Sequence, residues 1–255
     1  ASPPSVEAPT ATAPAAAAQP PASHVPSSFT PQQRTEIEGL IKSYLLNNPE
    51  LMLEVQNAYE AKMEKVQAER MSVALKEHAK DLFHPKVATL AGNPKGDVTV
   101  VEFFDYNCGY CKRAIGDVAR VVDKDKNVKV VLKEFPILAP GSEEASKVAL
   151  AARMQGKYWE FHRAMLTHQG QANMAVALKV AEGVGLDMDR LKKDITLPEV
   201  QAEINHTREL AQNLGIQGTP YFLVGDKIIP GAPENLYDLI NQNVATVRKS
   251  GCSVC

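Results

Sequence analysis

Val98-Thr99-Val100-Val101-Glu102-Phe103-Phe104 runs through Asp105-Tyr106-Asn107 into Cys108-Gly109-Tyr110-Cys111. This stretch decides the fold. Its first seven residues are β-branched, aromatic or apolar except at Thr99 and Glu102, and they follow the turn-rich Gly92–Asp97, which predicts a central buried strand. After the cysteines, Ala114, Ile115, Val118, Val121 and Val122 recur at helical spacing. Cys108 therefore falls at a strand-to-helix junction. Unpaired amide N–H groups and the positive end of the helix dipole stabilise an anion there. The position predicts a Cys108 thiolate, its pKa brought from about 8.5 into the range of roughly 3.5–7.5. Stabilising the reduced form also makes the corresponding disulfide a better oxidant. Cys111, one turn on and less exposed, is placed to attack a mixed disulfide at Cys108. Cys108 is the expected nucleophile and Cys111 the resolving thiol.

Zinc and a structural disulfide compete with this reading. The second Cys-x-x-Cys pair, Cys252 and Cys255, would bring the ligand count to the four that a zinc site needs. Metal knuckles, however, usually sit on turns between hairpins, and a strand feeding an amphipathic helix favours redox chemistry. Downstream, Gly218-Thr219-Pro220-Tyr221-Phe222-Leu223-Val224-Gly225 reads as a turn, a proline and an apolar strand. Proline at a strand start cannot donate to the sheet and often marks a cis bond in a tight turn. Facing the thiols, it would leave neighbouring backbone groups free to hold an extended substrate.

Three segments together carry a family resemblance: Phe103 through Cys111, Lys133-Glu134-Phe135-Pro136, and Gly218-Thr219-Pro220-Tyr221-Phe222. The chain resembles the DsbA-like branch of the thioredoxin superfamily, and most of all its periplasmic ScsC-type members, whose N-terminal helices make them oligomeric. The likeness spans about residues 87–248, and more loosely 30–82. It implies an α/β thioredoxin fold with an inserted helical domain, Pro220 in cis, and Cys108 as the attacking thiol. Gly109, Tyr110, Thr219 and Pro220 take the substrate-contact positions. Glu102 matches the buried acid that family members use to move a proton at the second thiol, and a carboxyl in an apolar strand has a raised pKa that suits this role. The competing reading of Glu102 is a strand-end acid reaching water. One departure matters: prototypic DsbA oxidases carry His just before the second cysteine, where this chain has Tyr110, which cannot supply a cationic imidazole. Lys112 and Arg113 add positive charge after the motif, but long exposed side chains contribute weakly.

From Cys111 to Pro220 there is far more chain than one helix and one strand need. Val128–Phe135 alternates as a strand. Residues 142–168, 172–182, 187–194 and 198–213 then read as helices, so a helical insert is expected over about 141–213. Met and aromatic residues there are read as core, and His162 and His168, six apart, do not share a helix face. Lys227–Gly231 predicts a further strand and Glu234–Arg248 a closing helix.

Upstream, Thr30-Pro31-Gln32-Gln33 has the form of a capping box with proline at the first helical position. Ile37, Leu40, Ile41, Tyr44 and Leu45 mark one apolar stripe. A second helix is expected from about Pro49 to Leu82, stopped by His84-Pro85. Its stripe of Leu51, Val55, Tyr59, Met63, Val66 and Val73 is narrow, with one heptad seam position good and the other poor. Residues 29–84 are accordingly assigned as an oligomerisation stalk, against the alternative of a helix packed sideways on its own domain. Residues 85–250 form the DsbA-like domain and 251–255 a Cys-x-x-Cys tail. Residues 1–28 hold nine Ala and seven Pro with almost no large apolar side chain, and read as a disordered tether.

Composition narrows the functional classes. With 28 basic and 30 acidic residues and a net charge of −2, the chain lacks the basic excess of a nucleic-acid binder. No run approaches the 18 or so uninterrupted apolar residues of a membrane span. Four cysteines in two pairs are too few to scaffold a chain of 255 residues. The start at Ala, without an apolar targeting core, suggests a removed signal peptide or a trimmed chain. The combined expectation is a bacterial periplasmic disulfide isomerase or reductase without a cofactor, acting on misfolded or cysteine-containing clients. It would be kept reduced by a membrane thiol–disulfide reductant and assemble as a homotrimer, or alternatively a homodimer. Alternatives are a monomeric DsbA-like dithiol oxidase and a copper-binding stress protein. The tail pair, Cys252 and Cys255, stays open between a redox shuttle, a soft-metal site and an inert local disulfide.

Overall fold

The structure is a computed structural model that describes residues 29–85 and 89–255. The tether expected over residues 1–28 lies outside the described residues. The described chain divides into two compact units, one reaching to Glu60 and the other running from Ala61 to Cys255.

In the first unit, α1 spans Pro31–Asn47 and opens on the expected capping box. The Gln33 amide donates to Thr30 Oγ1 at 3.3 Å and the Thr30 amide donates to Gln33 Oε1 at 2.9 Å. α2 spans Glu50–Glu77. No α1 side chain is buried, and Leu40, Leu46, Leu53 and Tyr59 are each more than 60% exposed, so the apolar stripe is left largely uncovered by the described residues. The helix expected to continue to Leu82 breaks at His78, whose ψ of 14° leaves the helical range, and a five-residue helix, α3 (Ala79–Phe83), follows. The break lets Leu82 and Phe83 turn into the core, where both are fully buried.

The second unit is built on a five-stranded sheet: β1 (Leu90–Gly92), β2 (Val98–Phe104), β3 (Val128–Glu134), β4 (Tyr221–Val224) and β5 (Lys227–Pro230). Their order is β1-β3-β2-β4-β5, with β2 and β3 parallel and the other pairs antiparallel. β1 has no counterpart in the sequence reading, because Leu90-Ala91-Gly92 is too short for alternation to show. β2 lies at the centre and every one of its residues is buried, which explains its nearly continuous apolar run. Val98, Val100 and Phe104 face one core layer, shared with α4 (Gly109–Lys124), most of the helical insert and α10 (Leu236–Ser250). Val101 and Phe103 face the other, shared with Met71 and Leu75 of α2, α3, and the tail residue Val254. By packing, the working unit thus takes in the second half of α2, where the sequence reading draws its boundary at 85.

The insert comprises α5 (Pro140–Met154), α6 (Tyr158–Thr167), α7 (Met174–Gly183), α8 (Met188–Asp194) and α9 (Pro198–Asn213). The single helix expected over 142–168 is two. Gly156 adopts φ of +71°, a left-handed turn that a residue with a side chain resists, and the chain reverses there between α5 and α6.

Candidate functional site

Cys108 is the N-cap of α4: its backbone is extended, and its sulfur accepts a hydrogen bond from the Cys111 amide at 3.4 Å. The Cys108 thiol donates to the Thr219 carbonyl oxygen at 3.2 Å, and the Thr219–Pro220 peptide is cis. The turn before β4 and the start of α4 therefore meet at one sulfur. The Cys111 thiol, the Thr219 side chain and the first amides of α4 all favour the anion over the cost of burial, and the Cys108 pKa falls to about 6. Cys111, fully buried, is pushed far the other way, first by burial and then by its hydrogen bond to Cys108. Both thiols are free. Gly109 and Tyr110 are exposed beside Cys108.

Glu102 lies in β2 opposite Leu132 and Phe222, is 1% exposed, and neither of its carboxyl oxygens has a hydrogen-bond partner. That removes the reading of a strand-end acid reaching water. Burial first, and then the nearby Cys108 charge, raise its pKa to about 8. A carboxyl poised near neutrality beside two thiols of opposed acidity can take up or release a proton as sulfur charge appears and disappears. Lys112 and Arg113 do not lie free beside the thiolate. Lys112 Nζ donates to the His168 and Gly170 carbonyls, and Arg113 donates to the Ala232 carbonyl while stacking 4.7 Å from the Tyr110 ring.

Several residues that the sequence reading passed over hold this arrangement in place. The buried Asp105 carboxyl accepts from the Asn107, Ile137 and Leu138 amides and from Ser142 Oγ, all at 2.7–2.9 Å. Asn107 exchanges hydrogen bonds with the backbone of Ala172. The three residues before Cys108 thus bolt the strand end to the insert. Beneath them, Glu134 accepts from Tyr106 Oη at 3.1 Å and Tyr158 Oη at 2.6 Å, and Tyr106 Oη lies 3.3 Å from His162 Nδ1. Burial raises the Glu134 pKa to about 8 against those two hydrogen bonds and pushes His162 down to about 3. The available signal for Glu134 is a charged residue at the end of an alternating apolar strand, whereas Glu102 is singled out by its match to the buried acid of the resembling family.

The tail pair is distant from this site. Cys252 and Cys255 form a disulfide with each other, so in this state neither offers a thiolate to a soft metal. The tail is not loose, because Val254 is buried among the core residues of the second layer.

Residues 99–239 match the DSBA-like thioredoxin domain profile. The chain belongs to the DsbA-like thioredoxin family. Residues 33–65 additionally match the profile described as the copper resistance protein ScsC N-terminal domain. A thioredoxin-like oxidoreductase from Silicibacter pomeroyi is 48% identical, covering 67% of this chain and 98% of its own, with a TM-score of 0.64. Proteus mirabilis ScsC in a transitional conformation is 24% identical over 86% of this chain and all of its own, with a TM-score of 0.63, a likeness of fold. Among curated relatives, a sodium/proton antiporter, NhaA 1, of Salinispora arenicola is 32% identical over 53% of this chain and 21% of its own length. This DsbA-like chain therefore spans about a fifth of that relative. Among the described residues no helix is long and apolar enough to cross a membrane.

Proposed function

We propose that this chain is a thiol–disulfide exchange enzyme acting on extracytoplasmic proteins as a disulfide isomerase or reductase. The opposed ionisation of its two thiols carries the reading, with Cys108 an anion at neutral pH and Cys111 held as a thiol. Cys108 thiolate attacks a client disulfide, forming a mixed disulfide and releasing a client thiolate. In isomerisation that thiolate attacks another client disulfide, and a client thiolate finally displaces Cys108 with no net change in electrons. In reduction, Cys111 gives its proton to the Glu102 carboxylate and attacks the Cys108 sulfur. The client leaves with both sulfurs reduced, and the enzyme is left as the Cys108–Cys111 disulfide. A membrane thiol–disulfide reductant of the periplasm restores the dithiol. Gly109, Tyr110, Thr219 and Pro220 contact the client strand.

Isomerisation is favoured over oxidation by the exposed apolar stripe of α1 and the first half of α2, together with the ScsC N-terminal match over 33–65. Three copies joined there, or two, would hold several thiol sites around one client and obstruct reoxidation by a membrane oxidase. The test is refolding of scrambled ribonuclease with the reduced full chain. Native activity should return and be lost in Cys108→Ser. Efficient net oxidation of reduced ribonuclease by the disulfide form, without rescue of the scrambled form, would establish the oxidase instead.

A further inference from the structure

The Cys252–Cys255 disulfide is unused by this mechanism, and its setting differs from that of a frayed end. Cys252 lies against Gly225, where an added Cβ would come within 3.0 Å of its sulfur. Ser253 Oγ donates to Asp226 Oδ2 at 3.2 Å and Val254 is buried, whereas Cys255 is exposed. The Cys255 amide donates to the Cys252 sulfur at 3.0 Å. The tail therefore presents an outer sulfur, Cys255, and an inner sulfur, Cys252, with a backbone donor directed at the inner one. The order is the reverse of that at the first pair, where Cys108, the first cysteine, is the more accessible of the two and accepts the amide.

Reach excludes exchange between the two pairs of one chain. Cys252 and Cys255 line a cleft with Val98 and Thr99, at the start of β2, whereas Cys108 follows the far end of that strand. Seven strand residues span roughly 20 Å, and the residues after Gly251 extend to about 14 Å at most. The dipoles set a direction. Cys108 stands at the start of α4, where amide N–H groups favour a thiolate. Cys252 stands just past the end of α10, where carbonyl groups oppose one, and the Arg248 guanidinium nearby is already held by Asp97 and Asp125. The reduced state is thus favoured at the first pair and the disulfide at the second.

We propose that the tail pair, once reduced by an external dithiol, delivers its two electrons to the Cys108–Cys111 disulfide of a second copy of this chain. Cys255 thiolate attacks Cys108 Sγ, the Cys108–Cys111 bond breaks, and Cys111 leaves with a proton from the Glu102 carboxyl. Cys252 thiolate then attacks Cys255 Sγ, re-forming the tail disulfide and releasing Cys108 as thiolate. The relay rests on the exchange reading of Cys108 and Cys111.

The test uses two full-length variants. Cys108→Ser/Cys111→Ser with a reduced, desalted tail is the donor, and Cys252→Ser/Cys255→Ser with an oxidised Cys108–Cys111 pair is the acceptor. After mixing at pH 7, acid quenching and alkylation, mass spectrometry should find the thiols moved to Cys108 and Cys111 with second-order kinetics. The equilibrium should favour the transfer by at least about tenfold. Adding Cys252→Ser to the donor should trap a Cys255–Cys108 disulfide between chains. Thiols remaining on the tail while dithiothreitol still reduces the acceptor would overturn the relay and leave the proposed function standing. An acceptor inert even to dithiothreitol would remove both. A trapped Cys252 adduct in a Cys255→Ser donor, formed as fast as the Cys255 one, would also sink the inner–outer assignment.

Discussion

At the residue scale, one pair of sulfurs three positions apart titrates in opposite directions because one caps a helix and the other is sealed beneath it. The reduced protein should show a thiolate absorbance at 240 nm with a midpoint near 6 from Cys108. Since the Cys111 thiol is the largest contributor to that value, Cys111→Ala should raise the midpoint by on the order of one unit, each unit being worth about 1.4 kcal/mol. An unmoved midpoint would show that the helix amides alone suffice. The depressed Cys108 pKa adds stability to the reduced fold that is complete above its unfolded value near 9 and is lost as pH falls through about 6. Glu102 has the opposite sign. Its folded pKa is raised, so its contribution is intact below about 4.5 and is lost as pH rises to about 8. Glu102→Gln should therefore stabilise the reduced protein at pH 9 relative to pH 5, by roughly 2–4 kcal/mol. Urea unfolding of both proteins at the two pH values measures this. The same substitution should slow resolution by Cys111 at neutral pH.

At the element scale, the loop from the end of β2 to α4 carries the chemistry, and Asp105 holds that loop to the insert. Asp105→Ala would leave three partly buried amides and the buried Ser142 hydroxyl without their acceptor. The expected loss is at least about 3 kcal/mol, read as a lower urea midpoint. It should be accompanied by faster amide exchange at Ile137 and Leu138, whose protection depends on that carboxyl. A loss below about 1 kcal/mol would mean that water replaces the carboxyl and the insert does not depend on it. The elements also show what periodicity resolves. The capping box of α1, the strand β2 and the span of α9 follow from local pattern. The breaks at His78 and Gly156 do not, because apolar spacing continues across both, and only the surface each half must cover decides where the helix turns.

At the scale of the whole molecule, the second half of α2 and all of α3 supply core to the sheet. Met71, Leu75, Leu82 and Phe83 are buried among Val101, Phe103 and Leu223. A chain beginning at Ala61 should stay folded and sediment as a monomer, while the full chain sediments as an oligomer. A chain beginning at residue 86 should lose those four side chains from the core, at about 1.5–3 kcal/mol each, and unfold or aggregate. A monomeric full chain would remove the support for isomerisation, and a stable chain from residue 86 would show that the second core layer tolerates their loss.

Local pattern in the sequence determined the position of Cys108 at a helix start and the helical insert, since β-branched runs, apolar spacing and capping residues act over a few positions. The thioredoxin architecture with Pro220 in cis is what the resemblance of three motifs to DsbA-like proteins implies, and the fold and the cis Thr219–Pro220 bond agree with it. Tertiary structure decided which polar residues became buried. Glu102, Asp105 and Glu134 are all acids near a strand end, and nothing local separates an acid that reaches water from one enclosed by the insert. It also decided the fate of the four cysteines. Two identical spacings became a helix-capping thiolate pair and a docked terminal disulfide, because one lies before a helix and the other after one, on opposite ends of the same strand.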